Sequence, residues 1–137
     1  MRARALFLLL AIGLAGCKEA STVNIQDKDW DLVALGERDH PMGNGGRPVT
    51  LRFDSKSKTA GGNAGCNRYN GPYTIDGAKL TFGPAISTRM ACVEGMDVEN
   101  AWLGAHQKVT TWTATDSTLV LANADGPLAR FEAHKAP

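Results

Sequence analysis

A single helix-like segment within a chain of strand-like segments most constrains the fold. Between residues 96 and 109 the apolar residues are spaced by three or four (Val98, Trp102, Ala105 and Val109), which predicts one amphipathic helix. Elsewhere, short runs alternate apolar and polar residues or are rich in β-branched residues, which predicts strands. The predicted strands are 30–34, 49–53, 59–65, 73–75 and 79–82 before the helix, and 111–115, 118–121 and 128–133 after it.

Because one helix cannot cover a wide sheet, the sheet must curl to bury its apolar face. We therefore expect an α+β fold: a curled, partly closed antiparallel β-sheet of about eight strands, with one amphipathic helix inserted after the fifth strand. The 15 glycines and 6 prolines suit the many turns of such a fold. Residues 36–48 are glycine-rich and poor in apolar residues, which predicts a mobile surface loop.

The amino terminus has the pattern of a secretory signal. Arg2 and Arg4 precede a short apolar run that ends in Leu14-Ala15-Gly16-Cys17, and this ending resembles a bacterial lipobox. The alternative is an ordinary signal peptide with an incidental cysteine. The lipobox interpretation predicts a lipoprotein signal peptide at 1–16, a lipidated flexible tether at 17–29, a folded domain at 30–133 and a carboxyl-terminal tail at 134–137.

Lipidation of Cys17 would anchor the protein to a membrane without spanning it, since two or three acyl chains give durable attachment. Lys18 follows the cysteine, where an aspartate would commonly retain a lipoprotein at the inner membrane. We therefore expect a lipid-anchored protein of the cell envelope, at the periplasmic side of the outer membrane in a Gram-negative host.

With Cys17 assigned to lipid, Cys66 and Cys92 remain as a pair in an oxidising compartment. We interpret them as a structural disulfide, which would close a loop of about 27 residues and stabilise the fold by roughly 3–4 kcal/mol. The alternative is a reactive or zinc-bound thiol pair. No CxxC spacing supports a metal site, and the three histidines are scattered singly, so we expect no metal and no cofactor.

The charge pattern and motifs exclude several functional classes. The chain has 15 basic and 14 acidic residues, with no basic run longer than Lys56-Ser57-Lys58, so nucleic acid is not an expected partner. No serine lies in a nucleophile motif, and no phosphate-binding glycine motif is present. Asp97 and Glu99 are two residues apart and point to different helix faces, so they cannot pair for acid–base catalysis. The three tryptophans are expected to be core anchors.

Four segments closely resemble the META domain, the HslJ-type family of small bacterial heat-inducible lipoproteins. The segments are Gly62–Gly71 (GNAGCNRYNG), Leu80–Pro84 (LTFGP), Ser87–Cys92 (STRMAC) and Leu119–Gly126 (LVLANADG). The resemblance extends from about Trp30 to Phe131. It implies a compact α+β fold on a curled antiparallel sheet, no agreed enzymatic activity, and associations with envelope stress and antibiotic tolerance.

Two positions depart from the family pattern. Val93-Glu94-Gly95 stands where the family often has Pro-Asp after the second cysteine, so the start of the helix is expected to differ. His106 stands where leucine is common. It falls beside the apolar stripe, so we expect it to be exposed or to have a polar partner rather than to lie in the core.

Two motif segments are candidates for a recognition surface. Asn67, Arg68 and Tyr69 are expected, together with Asn70, in a glycine-flanked turn between strands, and Ser87, Thr88 and Arg89 precede the bonded Cys92. Each segment has a structural interpretation, which we favour, and a binding interpretation. Asparagine side chains satisfy backbone groups in turns, and Arg89 is either a donor to carbonyls or an anion hook.

The combined features predict a non-enzymatic envelope lipoprotein that binds another envelope component, through a sheet edge or an apolar groove beside the helix. One alternative is a carrier of small ligands or lipids, which requires a roomy apolar cavity between helix and sheet. Another is a lysozyme-inhibitor-like binding lipoprotein, although the expected Ser/Tyr-rich signature is missing.

Overall fold

The computed structural model describes residues 23–137, so the predicted signal peptide and Cys17 lie outside the described residues. The described chain forms ten β-strands and one α-helix, with one turn of 3₁₀ helix at Asn44–Gly46. The strands before the helix are β1 (Asp29–Leu35), β2 (Arg38–Asp39), β3 (Thr50–Asp54), β4 (Thr59–Asn63), β5 (Arg68–Asp76), β6 (Lys79–Phe82) and β7 (Ile86–Ser87). The helix α1 (Met96–His106) is followed by β8 (Thr111–Ala114), β9 (Thr118–Asn123) and β10 (Gly126–Ala133).

Eight of the strands close into an antiparallel barrel. The order is β10-β9-β8-β6-β5-β4-β3-β1, and β1 pairs back onto β10. The two-residue strands β2 and β7 lie outside this ring and pair with β1 and β5. Five barrel strands therefore precede α1 and three follow it, which confirms the predicted α+β architecture.

The burial of residues along the strands follows the alternation of apolar and polar residues in the sequence. In β5, for example, buried and exposed residues alternate from Arg68 to Thr74, as a strand with one wet face requires. The β5–β6 hairpin turns at Asp76-Gly77, where Gly77 has a φ of 57°, a left-handed conformation that suits glycine. The pairing between β6 and β8 is the least extensive in the ring, with one paired position, Lys79↔Thr111.

The helix presents one face to the core of the barrel. Trp102 is fully buried and makes an edge-to-face contact with Phe131, with ring centroids 5.2 Å apart. Trp30 and Trp112 are also buried, so the prediction of three tryptophan anchors is confirmed. Within residues 23–137, no helix is long and apolar enough to cross a membrane.

His106 is in the core, so the expectation of exposure was wrong. Only 1% of the residue is exposed, and its ring stacks on Phe82 with centroids 4.0 Å apart. It lies eight residues after Val98 and four after Trp102, which brings it to the edge of the same helix face. A polar partner is present: the Gln107 side-chain amide lies 3.0 Å from His106 Nδ1.

This burial predicts a specific loss of stability in mild acid. Burial lowers the pKa of His106 from 6.5 to about 4, so between these values the unfolded chain binds a proton that the folded chain does not. The free energy of unfolding should therefore fall by about 3 kcal/mol from this group as the pH drops from 7 to 4. Urea denaturation across this range checks it, with His106→Leu as the matched variant. Equal pH dependence in the two proteins would contradict the prediction.

The folded domain begins before Trp30, which corrects the predicted tether at 17–29. Ile25 is 2% exposed and belongs to the core, and its carbonyl accepts a hydrogen bond from Trp30 Nε1 at 3.0 Å. The Asp27 N–H donates to the Phe53 carbonyl at 2.7 Å. At the other end, the predicted tail is tied to β1, since the His134 N–H donates to the Asp29 carbonyl at 2.8 Å.

Replacing Ile25 with alanine should therefore destabilise the domain as a core substitution does. We expect Ile25→Ala to lower the free energy of unfolding by about 2–4 kcal/mol, because it leaves a cavity in the core. The control is Asn24→Ala, which changes an exposed residue whose Oδ1 accepts one local hydrogen bond, from the Gln26 N–H, and should cost less than about 1 kcal/mol. Chemical denaturation checks both, and similar midpoints for Ile25→Ala and Asn24→Ala would restore the tether interpretation.

Candidate functional site

A disulfide joins two of the motif segments. The Cα atoms of Cys66 and Cys92 are 5.9 Å apart and their sulfurs are bonded, which confirms the predicted pair. Cys66 lies in the connection between β4 and β5. Cys92 lies in the segment 83–95 that runs from β6 to α1 and contains β7, which we call the disulfide loop.

The Asn67 side chain forms hydrogen bonds with the backbone of the disulfide loop. Its Oδ1 accepts from the Met90 N–H at 2.7 Å, and its Nδ2 donates to the Met90 carbonyl at 3.1 Å, as a neighbouring strand would. Oδ1 also accepts from the Thr88 hydroxyl at 3.0 Å. Because amide oxygen and nitrogen each face the required partner, only one orientation of this amide satisfies the network.

Glu99 on α1 completes the network from the other side. Its Oε1 accepts from the Asn67 N–H at 2.6 Å and from the Cys66 N–H at 3.2 Å, and its Oε2 accepts from Asn67 Nδ2 at 2.8 Å. Glu99 is 4% exposed, so these bonds replace its lost hydration. Asp97, two residues earlier on α1, is exposed, and its Oδ2 forms an ion pair with Arg38 Nη1 at 2.8 Å. This contact lowers the pKa of Asp97. The two carboxylates are not paired with each other, as expected.

The predicted turn at residues 67–70 is wrong, since β5 begins at Arg68. Asn67 and Tyr69 are 2% and 3% exposed, so they are structural rather than part of a recognition surface. The Tyr69 hydroxyl donates to the Thr50 carbonyl at 2.9 Å, and burial raises the pKa of Tyr69. Within residues 67–70, Arg68 and Asn70 are the exposed residues.

The segment 36–48, predicted as a mobile surface loop, has regular elements and contacts with the site. It contains β2, a bridge between Met42 and Pro48, and the 3₁₀ turn. The Asn44 N–H donates to the Gly65 carbonyl at 2.7 Å. Gly95, with a φ of 86°, abuts this segment so closely that an added Cβ would lie 2.5 Å from the Asn44 nitrogen. Glycine is therefore required where the segment meets the start of α1.

The other candidate residues lie on the outer side of this network. Ser87 is in β7 and half-buried, whereas Thr88 and Arg89 are exposed. The Thr88 N–H donates to the Arg68 carbonyl at 3.1 Å. The Arg89 guanidinium has no hydrogen bond or ion pair to any residue in 23–137, so its interpretation as a donor to carbonyls is not supported.

The disulfide loop exposes apolar side chains. Ile86 is 81% exposed, Met90 59% and Val93 fully exposed, although all three lie in a segment anchored by the disulfide and by Asn67. A groove of about 250 Å³ lies between the loop and α1, lined by Pro84, Ala85, Ser87, Leu103 and Gln107. Exposed apolar side chains on an anchored loop that lines such a groove are typical of a protein-binding surface.

The strand β7 also presents a backbone edge. Among the described strands it pairs only with β5, with Tyr69↔Ser87 and Asn70↔Ile86 in register. The Thr88 N–H points toward β5, and consecutive residues of a strand point their backbone groups to opposite sides. The N–H and carbonyl of Ser87 therefore point away from β5, where they are open to another strand.

In the described part of the chain, no three potential metal ligands lie together. The sequence profile of the META domain matches residues 23–135. The chain belongs to the META domain family. The match begins close to Ile25, in agreement with the domain boundary in the structure.

Three solved structures share the fold. A protein from Burkholderia xenovorans, solved by NMR, is 30% identical, with a TM-score of 0.66 over 82% of this chain and 85% of that one. A second NMR structure is 20% identical, with a TM-score of 0.61 over 79% and 90%. A crystal structure of a DUF4847 family protein from Bacteroides vulgatus is 14% identical, with a TM-score of 0.57 over 82% and 96%. No curated protein matches the chain.

Sequence reasoning missed Glu99 and the β7 edge. Glu99 enters the sequence interpretation only as a carboxylate that cannot pair with Asp97, although it directly follows Val98 of the buried stripe. That adjacency is the one local signal that it turns inward. The open backbone edge at Ser87 and the groove beside Leu103 depend on how the disulfide loop packs against α1. A local sequence pattern cannot predict that packing.

Proposed function

We propose that this META domain protein is a lipid-anchored protein of the cell envelope that acts by binding an extended, apolar segment of another envelope protein. The segment adds a strand beside β7 and places its side chains in the groove between the disulfide loop and α1. The open backbone edge at Ser87, directly beside that groove, is the observation that carries the proposal.

The surroundings of the edge support a rigid docking site. The disulfide, the Asn67 amide and the Glu99 carboxylate fix the loop before a partner arrives, which lowers the ordering cost of binding. Exposed Arg89, two residues from Ser87, favours a partner segment that carries a carboxylate near its apolar residues.

The membrane anchor at Cys17 remains part of the proposal. With the domain beginning at Ile25, eight residue steps separate the predicted lipid from the core, and a fully extended chain of that length spans at most about 28 Å. The partner would therefore be a membrane protein or one held near the membrane surface. The role in envelope stress or antibiotic tolerance stays a prediction.

The carrier alternative has less support. The space between α1 and the sheet is occupied by side chains of the core, among them Trp30, Trp102 and Phe131, each 0% exposed. A ligand between helix and sheet would have to displace them.

Site-specific photo-cross-linking tests the proposal. The full-length chain, expressed in its native envelope, carries a photo-reactive residue at Ile86 or, as a control, at Asp116, which is exposed in the β8–β9 turn. We expect one reproducible protein adduct at position 86 and none at 116. The absence of an adduct at 86, or the same adduct at both positions, would contradict the proposal.

A further inference from the structure

A second concave surface lies on the outer face of the barrel and shares no lining residue with the groove beside α1. It is a trough of about 420 Å³ that crosses β1, β3, β4 and β5 and is closed at one end by His134. Its charged and amide side chains are Asp29, Asp31, Arg52, Arg68, Asn70 and His134.

The strand register explains why this face is concave. Asp29, Arg52, Gly61 and Asn70 lie side by side on neighbouring strands. Gly61 has no side chain, so the surface of the sheet is recessed between the side chains of Arg52 and Asn70. The neighbouring strand is also close, because an added Cβ at Gly61 would lie 2.9 Å from the Asn70 Cα. A larger residue at position 61 would therefore both strain the sheet and fill the trough.

The trough has charges of opposite sign at its two ends. At the β1 end, Asp31 Oδ2 lies 2.6 Å from His134 Nδ1, while Asp31 Oδ1 is buried and has no hydrogen-bond partner among the described residues. A buried acceptor of this kind gains from a ligand that brings a donor. At the β5 end, Arg68 is exposed, and its guanidinium makes no hydrogen bond or ion pair within residues 23–137.

The distance between the two ends selects the ligand length. Three strand spacings separate β1 from β5, which is about 14 Å along the sheet. An extended chain advances about 3.3–3.6 Å per residue, so four residues cover that distance. Between the ends, Arg52 Nη1 forms an ion pair with Asp29 Oδ1 at 3.4 Å. The middle of the trough is therefore polar but has little net charge.

We propose that the trough binds a short peptide of about four residues with free termini, its ammonium group at Asp31 and its carboxylate at Arg68. A ligand with a single charge, or with two charges of one sign, matches only one end. The β5 end of the trough borders β7, but the trough shares no lining residue with the groove beside α1, and the proposal does not depend on the envelope partner.

Calorimetric titration of the detergent-solubilised full-length protein with tetra-alanine tests the proposal. We expect saturable binding, and we expect amidation of the carboxyl end or acetylation of the amino end each to weaken it about tenfold or more. Arg68→Gln should weaken binding of the free peptide by a similar factor but leave binding of the amidated peptide unchanged. Asp31→Asn should behave in the same way toward the acetylated peptide.

Arg47→Gln, which removes an exposed arginine that lines neither the trough nor the groove beside α1, is the matched control and should bind like wild type. No binding at 10 mM tetra-alanine would overturn the proposal. Equal binding of free and doubly blocked peptide would do so too, as would a loss in Arg68→Gln that is the same for amidated and free peptide. Because Arg68 is exposed, Arg68→Gln should fold normally, so the peptide comparison with this variant tests the proposal even if Asp31→Asn does not fold.

Discussion

Asn67→Asp is expected to lower the free energy of unfolding by about 4 kcal/mol or more. The substitution keeps the shape of the side chain but removes both Nδ2 donor bonds, to Glu99 Oε2 and to the Met90 carbonyl. It also puts a second carboxylate against Glu99 at a site that is 2% exposed. Two adjacent carboxylates cannot both stay ionised there without a large cost.

The matched control is Asn70→Asp, the same chemical change at an exposed position of β5. It should change the free energy of unfolding by less than about 0.5 kcal/mol. Urea denaturation at pH 7 compares the two. If Asn67→Asp unfolds at the same urea concentration as Asn70→Asp, the Asn67–Glu99 network does not stabilise the fold.

Removal of the disulfide has the second large expected effect. The bonded cysteines are 26 residues apart in sequence, and for a loop of this size the chain-entropy model gives about 3.5 kcal/mol of stabilisation. We expect the double variant Cys66→Ser/Cys92→Ser to lose about that amount. Amide hydrogens of the disulfide loop should also exchange faster than those of the barrel strands.

A reductant provides the internal control for this prediction. It should bring the wild-type protein to the stability of the double variant and leave the double variant itself unchanged. Guanidinium denaturation with and without dithiothreitol measures both. A loss below about 1 kcal/mol, with unchanged exchange in the loop, would contradict the interpretation of this bond as the anchor of the loop.

The local pattern of the sequence predicted the fold well because strand alternation and helix periodicity are local. The segment 49–53 was recognised as β3 from its alternation alone, and α1 from the spacing of Val98 and Trp102. The curling of the sheet followed from a physical requirement, since one helix cannot cover a wide sheet of eight strands. The prediction was a partly closed sheet, whereas pairing of β1 with β10 closes the ring completely.

The errors concern contacts between distant parts of the chain. Ile25 is an isolated apolar residue in the sequence, and only its burial in the core, with its carbonyl bonded to Trp30 Nε1, shows that the folded domain includes it. Arg68 to Asn70 contain residues typical of turns, but pairing with β4 and β7 extends them into a strand. His106 was placed outside the core because polarity was given more weight than its position on the helix face.

The central claim is that the Ser87 backbone edge docks an envelope protein, and a proline at this position tests it most directly. Ser87→Pro removes the N–H that points away from β5 and leaves the β5 pairing of Ile86 and Thr88 intact. With the photo-reactive residue at Met90, 59% exposed in the same loop, the account predicts that Ser87→Ala gives the wild-type adduct. Ser87→Pro should lose the adduct, while both variants unfold at the wild-type temperature. Undiminished cross-linking of a folded Ser87→Pro protein would contradict the account.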